Sequence, residues 1–221
     1  DFLHHYNFHK LALYNFNIQG IECIDDKAIV LENASSIYEF KNDSLVKVAD
    51  LKRLDEDVYN NINIVAHPTS IVVDENNNAY VTNSMEKRSP RIVKFSYDTF
   101  LDIGYLSTKS VKKIHVMEEY SSLHIESYKN NGKKFIILGG NTNNGSVLDF
   151  YTFDLDQKIC RIDYSSNIQN LLWDQKSNKL LIFSNVVGYK GGVIFEYTLN
   201  LSETCPKLED VKKIIMLTTM E

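Results

Sequence analysis

The chain has 221 residues, of which 43% are hydrophobic and 24% charged, the composition of an ordinary globular protein. Its apolar runs are no longer than about four residues, far short of the about 18 of a membrane-spanning helix, so we expect no membrane insertion. A net charge of −5 excludes the basic surface of a nucleic-acid binder, and 9 Gly and 3 Pro exclude collagen-like and low-complexity chains. The 13 Tyr and 11 Phe favour strands over helices.

The first part of the chain predicts a unit of four short strands. Residues 1–17 form an N-terminal segment with a candidate strand at 10–17, which would complete the last unit if the units closed into a ring. Residues 18–60 alternate apolar stretches with polar turns. The predicted strands of this unit are residues 20–24, 28–31, 36–40 and 45–48. The charged stretch 50–60 has the spacing of one short connecting helix.

Residues 61–118 repeat the same order of strands and turns. The predicted strands are residues 70–73, 79–82 and 91–95, with a weaker fourth strand near 101–105. Residues 91–95, Arg-Ile-Val-Lys-Phe, are expected to place successive side chains alternately inward and outward, as in a strand. Four antiparallel strands in about 40 residues are the size of one β-propeller blade.

Two further units follow, over residues 119–165 and 166–221. Their predicted strands are residues 123–127, 135–138, 148–153 and 160–162, and then 169–173, 180–183, 193–197 and 213–217. Glycine-rich stretches at 139–145 and 188–192 lie between second and third strands, and both lack the Gly-Lys-Ser/Thr ending of a phosphate loop. We therefore expect long hairpin loops at both places, with a ligand contact through Tyr189 as the alternative.

A pattern on the third strands ties the units together. It reads Ile37-Tyr38-Glu39-Phe40, Ile92-Val93-Lys94-Phe95 and Ile194-Phe195-Glu196-Tyr197. Each copy flanks one outward charge with apolar and aromatic residues that pack between sheets. The sequence therefore predicts an all-β fold, a β-propeller of four-stranded antiparallel blades with four units visible. It is either a small propeller or part of a larger one.

The second unit resembles an NHL repeat. The matching residues are His67-Pro68, Ile71, Val73-Asp74, Tyr80-Val81, Ser84, Arg91-Ile92 and Phe95. Ser70 stands where the repeat usually has Gly, and Asn83 where it usually has Asp. The resemblance covers about 40 residues and implies a β-propeller, typically of six blades.

Polar residues on the first strands are the candidate binding residues, because the first strand of each propeller blade lines the central channel. They are His67, His124, Glu126, Gln169 and Asn170. Their carboxylate, amide and imidazole groups suit a polar ligand or a hard cation bound through oxygen. The alternative is that they line a water-filled channel, with His67 serving as a turn residue before Pro68.

A second resemblance concerns residues 169–173. Gln169-Asn170-Leu171-Leu172-Trp173 is similar to a segment of the regucalcin and gluconolactonase family of metal-dependent lactonases. The resemblance implies Asn170 as a metal ligand, with Glu22 as the nearest analogue of the family's first-blade Glu and calcium as a possible ion. The Gly that follows the family's Asn is missing, and so is the Asn-Asp pair that supplies its catalytic Asp. Trp173 itself is expected in the core.

The three cysteines do not decide the compartment. Cys23, Cys160 and Cys205 form no Cys-x-x-Cys pair, which favours buried free thiols, with a disulfide plus one leftover thiol as the alternative. A cytoplasmic protein and a secreted, processed one both stay open.

We expect a soluble, non-enzymatic binding or scaffolding propeller. It would engage a protein or a small polar ligand through loops at the channel mouth, without a cofactor. The alternatives are a metal-dependent lactonase or arylesterase with the ion in the channel, and a structural segment of a larger propeller or assembly.

Overall fold

The computed structural model describes residues 18–24, 27–32, 35–41, 44–51, 67–85, 88–130, 132–185, 191–202 and 204–218. Within them, the strands form four antiparallel sheets of four strands each, and every sheet follows chain order. Blade 1 contains β1 Ile18–Ile24, β2 Lys27–Glu32, β3 Ser36–Lys41 and β4 Ser44–Asp50. Blade 2 contains β5 Pro68–Val73, β6 Asn78–Met85, β7 Arg88–Ser96, the helix α1 Tyr97–Ile103, and β8 Val111–Val116. Blade 3 contains β9 Tyr120–Asn130, β10 Lys133–Thr142, β11 Gly145–Tyr151 and β12 Lys158–Tyr164. Blade 4 contains β13 Asn167–Asp174, β14 Lys179–Asn185, β15 Gly191–Asn200 and β16 Lys207–Thr218.

The four sheets are arranged as the blades of a β-propeller. The first strands contact one another in order, β1 with β5, β5 with β9, and β9 with β13. The first strand of each blade is therefore its innermost strand, and the other three strands extend outward from it. The predicted fold class is confirmed.

Apolar side chains fill the space between successive blades. Alternate residues of a strand point to opposite faces of its sheet, so blades 2 and 3 each pack one face on the blade before and the other on the blade after. Blades 1 and 2 share a core that includes Leu31, Ile71 and Phe95. Blades 2 and 3 share one around Tyr80 and Ile125.

The core between blades 3 and 4 is the most aromatic. Tyr128 stacks on Phe135 with ring centroids 4.4 Å apart, and the Trp173 ring lies 4.5 Å from Tyr128. Trp173 is 8% exposed, which confirms its expected core position. Each ring of this size buries a large apolar area.

The fourth strand predicted near 101–105 is wrong. Residues Tyr97–Ile103 form α1, and the fourth strand of blade 2 is β8, Val111–Val116. The helix places Phe100 in the core, where its ring contacts Phe95 at 4.9 Å. Gly104 ends the helix at φ 81°, a left-handed conformation that glycine adopts at little cost.

The long loop predicted at 139–145 is also wrong. Gly139 and Gly140 lie within β10, and only Asn143 and Asn144 form the turn between the paired residues Thr142 and Gly145. The glycines serve close packing instead. A Cβ atom on Gly139 would lie 2.6 Å from Cδ1 of Leu171 in blade 4.

One charge of the third-strand pattern does not point outward as predicted. Glu39 is 6% exposed, and its carboxylate forms an ion pair with Lys41 at 2.6 Å. This local ion pair offsets the cost of burying the carboxylate.

Cys160 and Cys205 form a disulfide, with Cα atoms 5.6 Å apart, so the expectation of free thiols is wrong for these two. The bond joins β12, the outermost strand of blade 3, to the segment that leads into β16 of blade 4. Cys23 lies on β1. The alternative of one disulfide with a leftover cysteine is the arrangement found.

Several predictions concern residues outside the described part of the chain. They are the strand at 10–17, most of the helix at 50–60, and the loop residue Tyr189. In the described part of the chain, no helix is long and apolar enough to span a membrane.

Candidate functional site

Each inner strand has a β-bulge near its first residue. The pairing register shifts between Ile18 and Gly20 in β1, between Pro68 and Ser70 in β5, and between Ile168 and Asn170 in β13. In β9 the register shifts between Tyr120 and Ser122, which pair with Thr142 and Asn141 of β10. The extra residues are Gln19, Thr69, Ser121 and Gln169. A bulge bends its strand and redirects the local side chains, here at the same end of all four blades.

The bulges align the four blades residue by residue. The residues that lie three positions after the bulge residue are, in blade order, Glu22, Val72, His124 and Leu172. They pair with Ile29, Tyr80, Gly139 and Leu181 of the second strands, in the same order. Glu22 and His124 therefore occupy equivalent backbone positions. Glu126 lies two residues further along β9.

Glu126 lies in the contact between blades 3 and 4. Its Oε2 accepts a hydrogen bond from the backbone N–H of Trp173 in blade 4 at 3.1 Å, and its Oε1 accepts one from the N–H of Ser127 at 2.7 Å. The residue is 6% exposed, and burial raises the pKa of its carboxyl to about 7. The carboxyl group thus pairs with backbone of the neighbouring inner strand.

His124 is on the same face of β9 as Glu126 and is 9% exposed. Burial lowers the pKa of its imidazole to about 4, so the ring is neutral at neutral pH. Within the described part of the chain, its Nδ1 has no hydrogen-bond partner. Neither residue is a freely accessible group on the channel wall.

Hydroxyl groups join blades 2 and 3 in a similar way. Ser70 Oγ accepts the backbone N–H of Ile125 at 2.7 Å, and Thr69 Oγ1 donates to the carbonyl of Leu123 at 2.6 Å. Thr82 Oγ1 lies within 2.8 Å of both hydroxyls. An inner strand is a sheet edge with unpaired backbone groups, and buried backbone groups need partners. Side chains of the preceding blade supply them.

Asn141 has this role between blades 3 and 4. Its Nδ2 donates to the carbonyl of Ile168 at 3.0 Å, and its Oδ1 accepts the N–H of Ile168 at 3.1 Å. Ser146 Oγ donates to the same Oδ1 at 2.7 Å. Thr69, Ser70 and Asn141 were not predicted as connectors, although a polar residue inside a buried strand is the signal that marks them.

The other predicted binding residues lie at the ends of the inner strands. His67 is exposed just before β5 and has φ 54°, a turn conformation. Gln169 is exposed at its bulge, whereas Asn170 is half-buried and its Oδ1 accepts the N–H of Leu171 at 2.8 Å. The structure therefore places Gln169 at the surface and Glu126 between blades, in two different environments.

The described residues contain no group of three or more His, Cys, Asp or Glu side chains arranged to hold a metal ion. Glu22, the first-blade candidate, is placed on β1 by its backbone pairing with Ile29.

A second polar cluster surrounds Asp149, which is fully buried in blade 3. Arg161 donates to both carboxylate oxygens through Nε and Nη2, at 2.7 Å each, and Tyr120 donates its hydroxyl. Lys158 Nζ lies 2.9 Å from Oδ2. Burial alone would raise the pKa of this carboxyl, but the hydrogen bonds hold it below its usual value. The cluster ties β11 and β12 to the start of β9, a structural role.

Charged and uncharged polar groups are both found at the ends of the blades. At the end where the inner strands finish, ion pairs cross between blades 2 and 3, Lys134 with Glu75 and Lys113 with Asp156, at 2.5 Å each. At the bulge end of blades 3 and 4, a group of uncharged polar residues is exposed or nearly so. We call this group the amide surface; it consists of Ser121, Asn143, Asn144, Ser165, Asn167 and Gln169. Asn141 connects its two halves.

The chain matches no protein-family profile, and no curated protein has a similar sequence. Solved structures resemble it in fold. A chain of the mitotic checkpoint complex has a TM-score of 0.53 and 7% identity, over 88% of this chain and 51% of that one. A chain of hydrazine synthase from Kuenenia stuttgartiensis has a TM-score of 0.54 and 12% identity, over 90% and 50%. An exported protein of Bacteroides fragilis has a TM-score of 0.50 and 10% identity, over 86% and 50%.

The fold and the arrangement of its inner strands define this chain as a β-propeller protein. At 7–12% identity these similarities concern the fold alone. The chain spans about half the length of these three structures.

Proposed function

We propose that this protein is a non-enzymatic binding or scaffolding propeller of NHL-like character, which contacts its partner through the amide surface. The observation that carries the proposal is that the bulge residues of blades 3 and 4, Ser121 and Gln169, are both exposed at one end. The polar side chains further along β9 are engaged between blades instead. Residues that hold the blades together are poor candidates for ligand contacts, so binding is assigned to the exposed end.

The chemistry of the amide surface indicates the kind of partner. Asn and Gln side chains each offer a donor and an acceptor, and Ser hydroxyls offer both, without a formal charge. Such a surface complements the backbone of an extended peptide segment or the hydroxyl groups of a small polar ligand. It offers little attraction to a strongly charged partner.

A pair of charge insertions tests the proposal. Ser121→Arg combined with Gln169→Arg places two long cations on the amide surface without touching a buried contact. Gln175→Arg, on the exposed turn at the opposite end, is the matched control. Partners are captured by photo-crosslinking in the native cell extract and identified by mass spectrometry. A partner lost with the double variant and retained with the control supports the proposal. Equal capture by both variants refutes it.

A metal-dependent lactonase is the competing proposal, with Asn170 and Glu22 as ligands of a calcium ion. Asn170 stands at the start of β13, but its Oδ1 already accepts the N–H of Leu171 at 2.8 Å. Lactone hydrolysis that requires added calcium, and that Asn170→Ala abolishes, would replace the binding proposal. If no lactone hydrolysis is found with or without calcium, the lactonase proposal is excluded.

A further inference from the structure

The turn between β10 and β11 carries an asparagine that is followed directly by a glycine. The sequence has two such pairs, Asn131-Gly132 and Asn144-Gly145, and Asn131 lies outside the described residues. Asn144 is exposed in the turn and belongs to the amide surface. An asparagine before glycine readily loses its side-chain amide, because glycine has no Cβ to hinder the approach of its own backbone nitrogen.

The loss of the amide needs only water as a co-reactant. The backbone nitrogen of Gly145 attacks Cγ of Asn144, the Cγ–Nδ2 bond breaks, and Nδ2 leaves as ammonia with the proton that Gly145 gives up. Water then opens the resulting succinimide ring. Breaking the new bond to Cγ gives aspartate, and breaking the original peptide bond gives isoaspartate, with the chain continuing through Cγ. In both products a neutral amide has become a carboxylate, so the net charge of −5 becomes one unit more negative.

The structure leaves Asn144 open to this reaction. In the described part of the chain its side chain makes no hydrogen bond, and its backbone N–H donates to Thr142 Oγ1 at 3.2 Å. Apart from its chain neighbours, no atom lies within 4 Å of the place that a Cβ on Gly145 would take, so the backbone there has room to move. Exposed turn tips with small polar residues are where a chain is most mobile and most accessible to water.

Asn141, earlier on the same hairpin, is held in place instead. Its Nδ2 donates to Ser122 Oγ at 2.7 Å and to the carbonyl of Ile168 at 3.0 Å, and its Oδ1 accepts the N–H of Ile168 at 3.1 Å. The next residue is Thr142, whose branched side chain hinders ring closure. Asn141 and Asn144 share one hairpin but differ in hydrogen bonding and in the residue that follows, so Asn141 is an internal control.

We propose that Asn144 is a site of spontaneous deamidation, and that the reaction changes the amide surface from neutral to anionic as the protein ages. A carboxylate only accepts hydrogen bonds, so the product loses the two N–H donors of the Asn144 amide. The isoaspartate product also adds the Cβ atom to the main chain of a turn that joins two paired strands. The consequence for binding rests on the proposed function, whereas the covalent modification does not.

The test follows the purified protein during incubation at mildly alkaline pH, with tryptic peptide mapping at intervals. The peptide 135–158 contains Asn141, Asn143 and Asn144, whereas Asn131 falls in a different peptide, so fragmentation assigns each mass increase to one residue. Asn144 should convert progressively to aspartate and isoaspartate, which chromatography resolves, while Asn141 stays unmodified. Asn144→Gln is the matched control and should stay intact, because a glutamine side chain must close a larger ring that forms more slowly.

Either of two results would overturn the modification. If Asn144 remains intact over a time in which the isolated peptide 135–158 loses its amide, the folded turn protects it. If Asn141 converts as fast as Asn144, the reaction follows unfolding and not exposure of the turn. Partner capture tests the consequence for binding: Asn144→Asp should lose the partner that Asn144→Gln retains, and equal capture by these two variants overturns that consequence. The proposed function is refuted separately, by capture that Ser121→Arg with Gln169→Arg leaves unchanged.

Discussion

Removing the Cys160–Cys205 disulfide tests how strongly blades 3 and 4 are held together. The bond joins the outermost strand of one blade to the last connection of the next. Hydrogen bonds at Glu126 and Asn141 join the inner strands of these blades, and apolar contacts that include Tyr164 and Tyr197 continue toward the outer strands. The disulfide therefore fastens the outer part of this pair of blades, and Cys205→Ser should loosen that part first.

The magnitude follows from the length of chain that the bond closes. A disulfide stabilises mainly by restricting the unfolded chain, and for a sequence separation of 45 residues the chain-entropy relation gives about 4 kcal/mol. With a urea dependence of about 3 kcal/mol per molar, the unfolding midpoint should fall by roughly 1 M. Cys160→Ser should have the same effect, because either substitution removes the same bond.

The single tryptophan provides the assay, because Trp173 is buried in the core between blades 3 and 4. Urea unfolding is followed by its fluorescence, with and without dithiothreitol. Reductant should lower the midpoint of the wild-type protein and of the control Cys23→Ser. Reductant should leave the urea midpoints of Cys160→Ser and Cys205→Ser unchanged. A wild-type midpoint that does not respond to reductant would refute the reasoning.

Two further predictions concern the same pair of blades. Gly139→Ala brings a Cβ atom to 2.6 Å from Leu171 and should lower the free energy of unfolding by about 2 kcal/mol. The control Gly192→Ala, whose Cβ would have no atom closer than 3.7 Å, should lower it little. Equal unfolding midpoints of the two variants in urea would contradict this. Because the pKa of Glu126 is raised, the folded state holds a proton that the unfolded state releases. The contribution of this carboxyl group to stability is therefore present below about pH 4.5 and is lost as the pH rises through about 7. The lowered pKa of His124 acts in the opposite sense, with stability present above about pH 6.5 and lost as the pH falls through about 4. Glu126→Gln should therefore reduce the loss of stability between pH 5 and 8, and an unchanged pH profile would disprove the assignment.

The strands of this fold were predictable because their pattern is local. The repeat Ile-x-charge-aromatic on the third strands of blades 1, 2 and 4 reflects a sheet packed on both faces, and a short, mostly apolar run bounded by turns is the local pattern of such strands. Residues 97–103 were not predictable in this way. Phe100 and Leu101 suit a strand as well as a helix, and the core contact of Phe100 with Phe95 depends on residues brought together by the fold.

The candidate site was predictable only as a set of polar residues on inner strands. The strand assignment gave the positions of His124, Glu126 and Gln169, but not whether each faces solvent or a neighbouring blade. That difference depends on the bulges, each of which shifts the register by one residue. At these shifts Gln169 is exposed and Thr69 is buried, and the spacing of apolar residues does not distinguish the two cases.

The inner strands explain why polar residues here are poor indicators of chemistry. The innermost strand of a blade has one unpaired edge, and its backbone groups become buried when blades pack side by side. Thr69, Ser70, Asn141 and Glu126 each bond a backbone group on the inner strand of the next blade. A polar residue at these positions is required by packing whatever the protein binds. Gln169 is exposed and carries no such requirement, so substitutions that alter binding without altering stability are expected there.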